Sequence, residues 1–244
     1  MFNREKKYLL LRIIFLSAII SYFFLKNKDS DKDKFITYTI NPQKHNLQFF
    51  WKDDSNNILK SITNLKNWLA AKNKKLFFAM NGGMYKRDNT PQGLYIEKQK
   101  ILAAIDTTSG QGNFYMKPNG IFYLNNNNEV NVCRTDSFKL FSNVKFATQS
   151  GPMLVIDGNI HSMFKEGSTS LNIRNGVGIL TNNNVLFVMS KQAISFYDFA
   201  LYFKKMGCKN ALYLDGFVSR TYLPEKKWMQ MDGNFGVMIG EVGN

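Results

Sequence analysis

Cysteine is scarce in this 244-residue chain. Cys133 and Cys208 allow one bridge at most, and their separation does not say whether they meet. Both read as buried thiols, with a disulfide left open. No CxxC and no His/Cys cluster is present, so the usual zinc arrangements are missing. Histidine is equally scarce. His45 and His161 stand alone, and there is no HExxH and no GxSxG. Metalloprotease and serine-hydrolase readings therefore lack their signatures. His161 reads as a satisfied structural residue rather than an acid–base helper. No EF-hand-like spacing occurs, and no metal ligand or cofactor is assigned; a structural cation on Asp and Asn oxygens stays open. No basic helix and no RNA-binding aromatic signature accompanies the lysines, so no nucleic-acid partner is expected. A βαβαβ series is missing too, which argues against a doubly wound parallel sheet.

What is present suits an ordinary globular protein. Hydrophobic residues make up 44% and charged residues 20%, enough for a core that needs no disulfide. The net charge is +14. Residues 1–34 hold eight basic and four acidic side chains, so most of the excess lies further on. Such a surface attracts anions in general.

Residues 1–25 stand apart. Arg4, Lys6 and Lys7 precede an apolar run from Leu9 to Leu25 that only Arg12 interrupts. No small-x-small cleavage site follows. An uncleaved N-terminal signal anchor is favoured over a cleaved signal peptide, with the positive start left in the cytoplasm. Either would carry the rest across the membrane, and an anchor at residues 9–25 would hold it at the inner membrane, facing the periplasm. Residues 26–34 form a charged spacer, and the globular domain spans 35–244.

Within that domain hairpins outnumber helices. FITYTI (35–40) alternates as an opening strand does. Asn56 to Lys72 carries a helical stripe through Ile58, Leu59, Ile62, Leu65, Trp68 and Leu69. KLFFAM (75–80) is a buried strand. Residues 93–105, 120–133, 152–161 and 176–190 each read as a hairpin, the third turning at Asp157-Gly158. Ser195 with Asp198 caps a second helix that stops at Gly207. NALYL (210–214) and GNFGVMIGEV (233–242) are further strands. The fold class is α+β: one domain, mostly antiparallel sheet built from hairpins, with two main helices.

Three segments set a short apolar run beside Gly and small polar residues: FFAMNGGMY (77–85), ATQSGPMLVIDG (147–158) and NALYLDGFVS (210–219). RNGVG (174–178) is a fourth. Strands ending in such residues are how a pocket is built on a rigid sheet, because glycine lets the backbone turn and approach a ligand. The candidates follow from position. Asp215 ends a strand and is followed by a glycine. Glu166, in KEGSTS, is a second carboxylate. Arg174 offers a planar fork that matches two phosphate oxygens. Asn81, Gln149, Ser150 and Asn175 can hydrogen-bond hydroxyls or phosphate, as can Ser219 and, more weakly, Asn119. Gly82, Gly83 and Gly151 can expose backbone N–H groups to an anion.

The order NGGMY, PQGLYIE, NFYMKPNGIFYL, ATQSGPMLVIDG, EGSTSLNIRNGVGI, NALYLDGFVS over residues 81–219 resembles the phosphodiester glycosidase domain family. That family includes the lysosomal enzyme that removes N-acetylglucosamine from a phosphodiester-linked mannose, and this chain is similar to its bacterial relatives. The family often has LDGG followed by serines. Here Phe217 follows Gly216 and Arg220 follows Ser219, so the loop is bulkier and more cationic. The resemblance implies an exported or membrane-anchored hydrolase that cleaves a sugar-1-phosphodiester in envelope or environmental glycans. Asp215 would act at the anomeric carbon, with Glu166 second. Its partners would be a glycan or sugar-phosphate substrate and, through the N-terminus, the membrane. The rival is a catalytically silent glycan-binding module on the same fold.

Overall fold

Tight turns set the strand registers. In the computed structural model, which describes Tyr8 and residues 33–215 and 218–243, Lys98 and Gln99 have φ of 50° and 67°, and Asp157 and Gly158 have 48° and 80°. Positive φ at both central residues matches the right-handed twist of the flanking strands. The expected membrane segment, most of the spacer, Gly216 and Phe217 lie outside the described residues. Among the described residues no helix is long and apolar enough to cross a membrane. The chain divides into two compact units, Met1–Ile36 and Thr37–Asn244. All that follows concerns the second.

Three mostly antiparallel sheets make up this unit. The first runs β1 (Phe35–Ile40), β12 (Val185–Ser190), β11 (Asn175–Ile179), β13 (Asn210–Asp215), β9 (Met153–Ile156), β10 (Asn159–Ile160). The second runs β15 (Trp228–Met229), β14 (Thr221–Leu223), β3 (Lys75–Asn81), β16 (Met238–Gly243), β2 (Leu47–Phe50). The third runs β5 (Lys100–Ala103), β4 (Tyr95–Glu97), β8 (Val144–Ser150), β6 (Gly120–Asn125), β7 (Val130–Arg134). The α+β expectation holds. The four hairpins form as expected, while β2, β14 and β15 were not anticipated.

Five buried phenylalanines join the sheets. Phe49 packs on Phe122 and Phe146 at 5.5 and 5.4 Å, and Phe187 packs on Phe78 and Phe122 at 5.0 and 6.0 Å. Each such side chain removes a large apolar area from water, and the ring pairs add about 0.5–1.5 kcal/mol apiece. Helix α1 (Ile62–Ala70) lays Ile62, Leu65 and Leu69 on the second sheet. The expected start at Asn56 is corrected: Lys60 is left-handed (φ 63°), and Ser61 Oγ accepts the Asn64 N–H as N-cap. Ile58 sits in a bridge to Lys52, while Leu59 buries in the same core from outside the helix. Likewise β16 begins at Met238, not Gly233, whose φ of 137° breaks the strand.

Helix α2 (Phe196–Lys205) is capped by Ser195 as expected. Gly176 and Gly178 let it lie close to the sheet. A Cβ at Gly176 would fall 2.8 Å from Leu212 O and 3.2 Å from Phe199. One at Gly178 would fall 2.7 Å from Cys208 Sγ. The glycines of RNGVG therefore serve helix packing, not ligand approach. Cys133 and Cys208 are both free thiols, the second buried and the first half-buried.

Candidate functional site

Four strand ends meet at one place. Asn81 closes β3, Ser150 closes β8, Asn175 opens β11 and Asp215 closes β13. Asn175 Nδ2 donates to Asn81 O and Oδ1, both at 2.9 Å. Asn175 Oδ1 accepts the Asp215 N–H at 2.8 Å. Ser150 Oγ donates to Leu214 O at 2.7 Å. A Cβ on Gly83 would collide with Thr148, so the chain leaving β3 touches β8 and the circuit closes. Asn81 and Asn175 are fully buried and Asp215 is 8% exposed. Buried amides are costly unless hydrogen-bonded, and this network supplies partners for all of them but Asn81 Nδ2. A bulge between Asn175 and Gly176 brings Asn175 opposite Asp215.

The loop after Asp215 folds back on it. Ser219 Oγ donates to Asp215 O at 2.7 Å, and the Arg220 N–H donates to Asn81 Oδ1 at 2.9 Å. The expectation of a more cationic loop is corrected at Arg220. Its Nε and Nη2 engage both oxygens of Asp232 at 2.7 and 2.8 Å, so the charge is neutralised locally.

Two tyrosines, not singled out from the sequence, lie near enough to Asp215 for its charge to act on them. Burial pushes the Tyr85 phenol up to about 12, and the Asp215 charge adds to this. Burial also raises Tyr213, with Arg174 opposing the rise and Asp215 adding to it. Tyr213 and Asp215 share a face of β13, two residues apart. Both tyrosines lie inside the quoted motifs NGGMY and NALYLDGFVS.

Arg174, expected as a phosphate ligand, lies in the interior. It is 1% exposed. Nε donates to Ile194 O at 2.8 Å and Nη2 to Ser170 O at 3.1 Å. Its Cζ lies 3.6 Å from the Phe196 ring centre. Phe196 stacks on Phe164 at 4.8 Å, and Phe164 stacks on His161 at 4.8 Å. Burial pulls the guanidinium below its ordinary value, and Tyr213 partly restores it. The Tyr213 phenol favours the charged form, yet makes no well-formed hydrogen bond to Nη1, which is buried without a partner. Asn81 Nδ2 is buried and unpartnered as well.

Other expected residues have different duties. Gln149 Oε1 accepts the N–H groups of Leu94 and Asp106, both at 2.9 Å. Its Nε2 donates to Asp106 O at 2.6 Å and, at 3.4 Å, to Thr135 Oγ1. The amide is fully spent on holding the 104–112 loop, so it is not available to a sugar hydroxyl. The Gly82 N–H is committed to Val237 O at 2.8 Å, which removes it from any anion cradle. Gly151 packs against Asn119, whose Nδ2 donates to Phe114 O at 3.0 Å. Glu166 is exposed in the loop before Arg174 and hydrogen-bonds to none of these residues. His161 is structural: Nε2 donates to Lys117 O at 3.1 Å and Nδ1 accepts the Met163 N–H at 3.2 Å. A cleft of about 370 Å³ opens beside Asn119, lined also by Lys117, Arg134 and Thr135. Among the described residues no group of three His, Cys, Asp or Glu side chains gathers as metal ligands.

The geometry is thus one buried carboxylate at a strand end, two phenols on which its charge acts, and an unpartnered amide donor on Asn81. Comparison with known proteins gives it a setting. The phosphodiester glycosidase family model matches residues 74–237. The uncharacterized protein YigE of Escherichia coli (strain K12) is 38% identical over 187 residues, which is 76% of this chain and 73% of that one. The catalytic domain of zebrafish N-acetylglucosamine-1-phosphodiester alpha-N-acetylglucosaminidase, auto-inhibited by its pro-peptide, superposes with a TM-score of 0.59 at 12% identity, over 85% of this chain and 83% of that one. A putative exported protein of Burkholderia pseudomallei K96243 gives 0.60 at 10% identity, over 85% and 73%. These two structures share the fold; the family match and the E. coli relative show the lineage. The chain belongs to the phosphodiester glycosidase family.

Proposed function

We propose that this protein hydrolyses a sugar-1-phosphodiester at the Asp215 site. The observation that carries the reading is Asp215 itself, a carboxylate residue 8% exposed at a strand end, whose backbone is held by Asn175, the same amide that binds Asn81 with its buried, unpartnered Nδ2. Leaving a buried donor unmade costs about 1–3 kcal/mol. A ligand oxygen that reaches it removes the cost. An anionic phosphodiester supplies such oxygens, and bonds to an ionised acceptor are among the stronger kinds.

Phosphate leaves readily, so little acid assistance is needed. Acting as nucleophile, Asp215 forms a bond to the anomeric carbon while the C–O bond to phosphate breaks. The phosphomonoester departs with the electron pair, and water then releases the sugar. Acting as base, Asp215 takes the proton of the attacking water instead. A phenol held protonated up to about pH 12 makes Tyr85 a donor to the carboxylate or to a sugar oxygen. Glycans of the envelope or the surroundings are the substrate class, since the Arg4, Lys6 and Lys7 start followed by the apolar run of residues 9–25 reads as an export segment. Fractionation of a tagged protein tests the latter: a soluble cytoplasmic pool with the segment intact would contradict it.

The test of the chemistry is release of free sugar from a panel of glycosyl phosphodiesters. Asp215→Asn should cut turnover by several orders of magnitude, beyond the ~10²–10³ of one lost donor, with circular dichroism unchanged. Full activity in this variant removes Asp215 from the mechanism. Glycan binding without turnover of any panel member would make the protein a binding module.

A further inference from the structure

A second cleft opens at the other end of β3, six residues and so about 20 Å from Asn81 at the rise of a strand. Its volume is about 850 Å³, within the ~300–1,000 Å³ of small-molecule sites. The floor is Glu241 of β16, only 6% exposed. One carboxylate oxygen meets His45 Nδ1 at 2.6 Å, and the other accepts the Tyr38 hydroxyl. Tyr38 in turn stacks on Phe78, with centroids 4.6 Å apart. A sunken carboxylate held from two sides is expensive to desolvate, and apolar residues would serve stability as well. Such a carboxylate, set among polar partners in the wall of a cleft, points to use.

The rim is of opposite character. Lys66, Lys74 and Lys75 line it, together with Phe77, which is 39% exposed. Lys75 Nζ stands 5.1 Å from the Phe77 ring, and Lys66 Nζ 5.8 Å from that of Tyr222. Glu225 is the acidic residue of the rim. Next to it, Lys226 is turned away to Thr37 O at 2.6 Å. The cleft therefore combines aromatic faces, three ammonium groups and a His–Glu pair. Aromatic faces suit the C–H side of a sugar, ammonium groups suit its acidic substituent, and the His–Glu pair suits its hydroxyls.

We propose that this cleft binds an acidic saccharide, at a site separate from Asp215. The assignment does not depend on the hydrolase reading. Phe77 carries the sugar face, Lys74 and Lys75 hold its carboxylate, sulfate or phosphate, and His45 offers its outer nitrogen to a hydroxyl.

Calorimetry on the full chain tests it, with a heparin tetrasaccharide as acidic probe and maltotetraose as neutral probe. The acidic probe should bind at one site and the neutral probe at least tenfold more weakly, about one ion pair's worth near a surface. Lys74→Glu/Lys75→Glu should weaken the acidic probe by about tenfold or more, and Phe77→Ala should weaken it severalfold. Lys98→Glu/Lys100→Glu, on the β4–β5 turn, and Asp215→Asn should leave it within about twofold. Equal loss in both lysine pairs would mean diffuse attraction and overturn the proposal. So would equal affinity for maltotetraose, loss of binding in Asp215→Asn, or no binding of the acidic probe.

Discussion

Asn175 holds Asp215 in place by its backbone: the side-chain Oδ1 of one accepts the N–H of the other at 2.8 Å. The same amide turns its two hydrogens to Asn81. One side chain thus ties the ends of three strands from two sheets, and no water is needed between them.

Asn175→Ala should leave the Asp215 N–H without this partner, and the two Asn81 oxygens short of a donor. At about 1–3 kcal/mol for a buried group left unmade, a loss of about 2–4 kcal/mol is expected from the urea midpoint. Asn175→Asp keeps the shape but sets oxygen against oxygen at Asn81. It should be at least as damaging, which separates a hydrogen-bonding role from a packing role.

Tyr85→Phe should leave the fold within about 1 kcal/mol of wild type, since the ring keeps its place and the phenol is half-buried. Turnover of a glycosyl phosphodiester should fall by about 10²-fold, the usual loss for one donor at a reacting group. A full rate in this variant would show that the hydroxyl only fills space beside Asp215.

His161 predicts a pH effect on stability. Burial lowers its pKa below the ordinary 6.5. Between the two values the unfolded chain binds the proton and the folded one does not, so stability rises with pH there. The contribution is whole above about pH 7 and is lost as pH falls through 6.5 towards the folded value. Protonation would also give Nδ1 a hydrogen facing the Met163 N–H, a donor against a donor. Urea midpoints at pH 7.5 and 5.5 should converge in His161→Gln relative to wild type; an unchanged difference would remove His161 as the cause.

The strands were legible because their apolar runs are short and bounded by turn residues, and α2 because Ser195 and Gly207 mark both ends. The stripe through Ile58 and Leu59 misled because Leu59 enters the same core as α1, from a segment on the far side of a left-handed Lys60. Periodicity records which residues are buried, not which backbone carries them. Asp215, Asn81 and Asn175 were legible as strand ends beside glycine. Arg174 was legible as special but not as buried, since arginine is mostly exposed and its stacking partner Phe196 lies 22 residues away. Gln149 looked free because the backbone it holds, at Leu94 and Asp106, is more than forty residues upstream.

The position of β3 has a consequence for timing. Its two neighbours are β14 and β16, made from the last part of the chain, and Asp215 itself comes late. A nascent chain that has emitted Asn81 has neither the strands that flank it nor the carboxylate. The cluster therefore comes into being only when synthesis is nearly done, and a chain cut short before residue 215 lacks its carboxylate altogether.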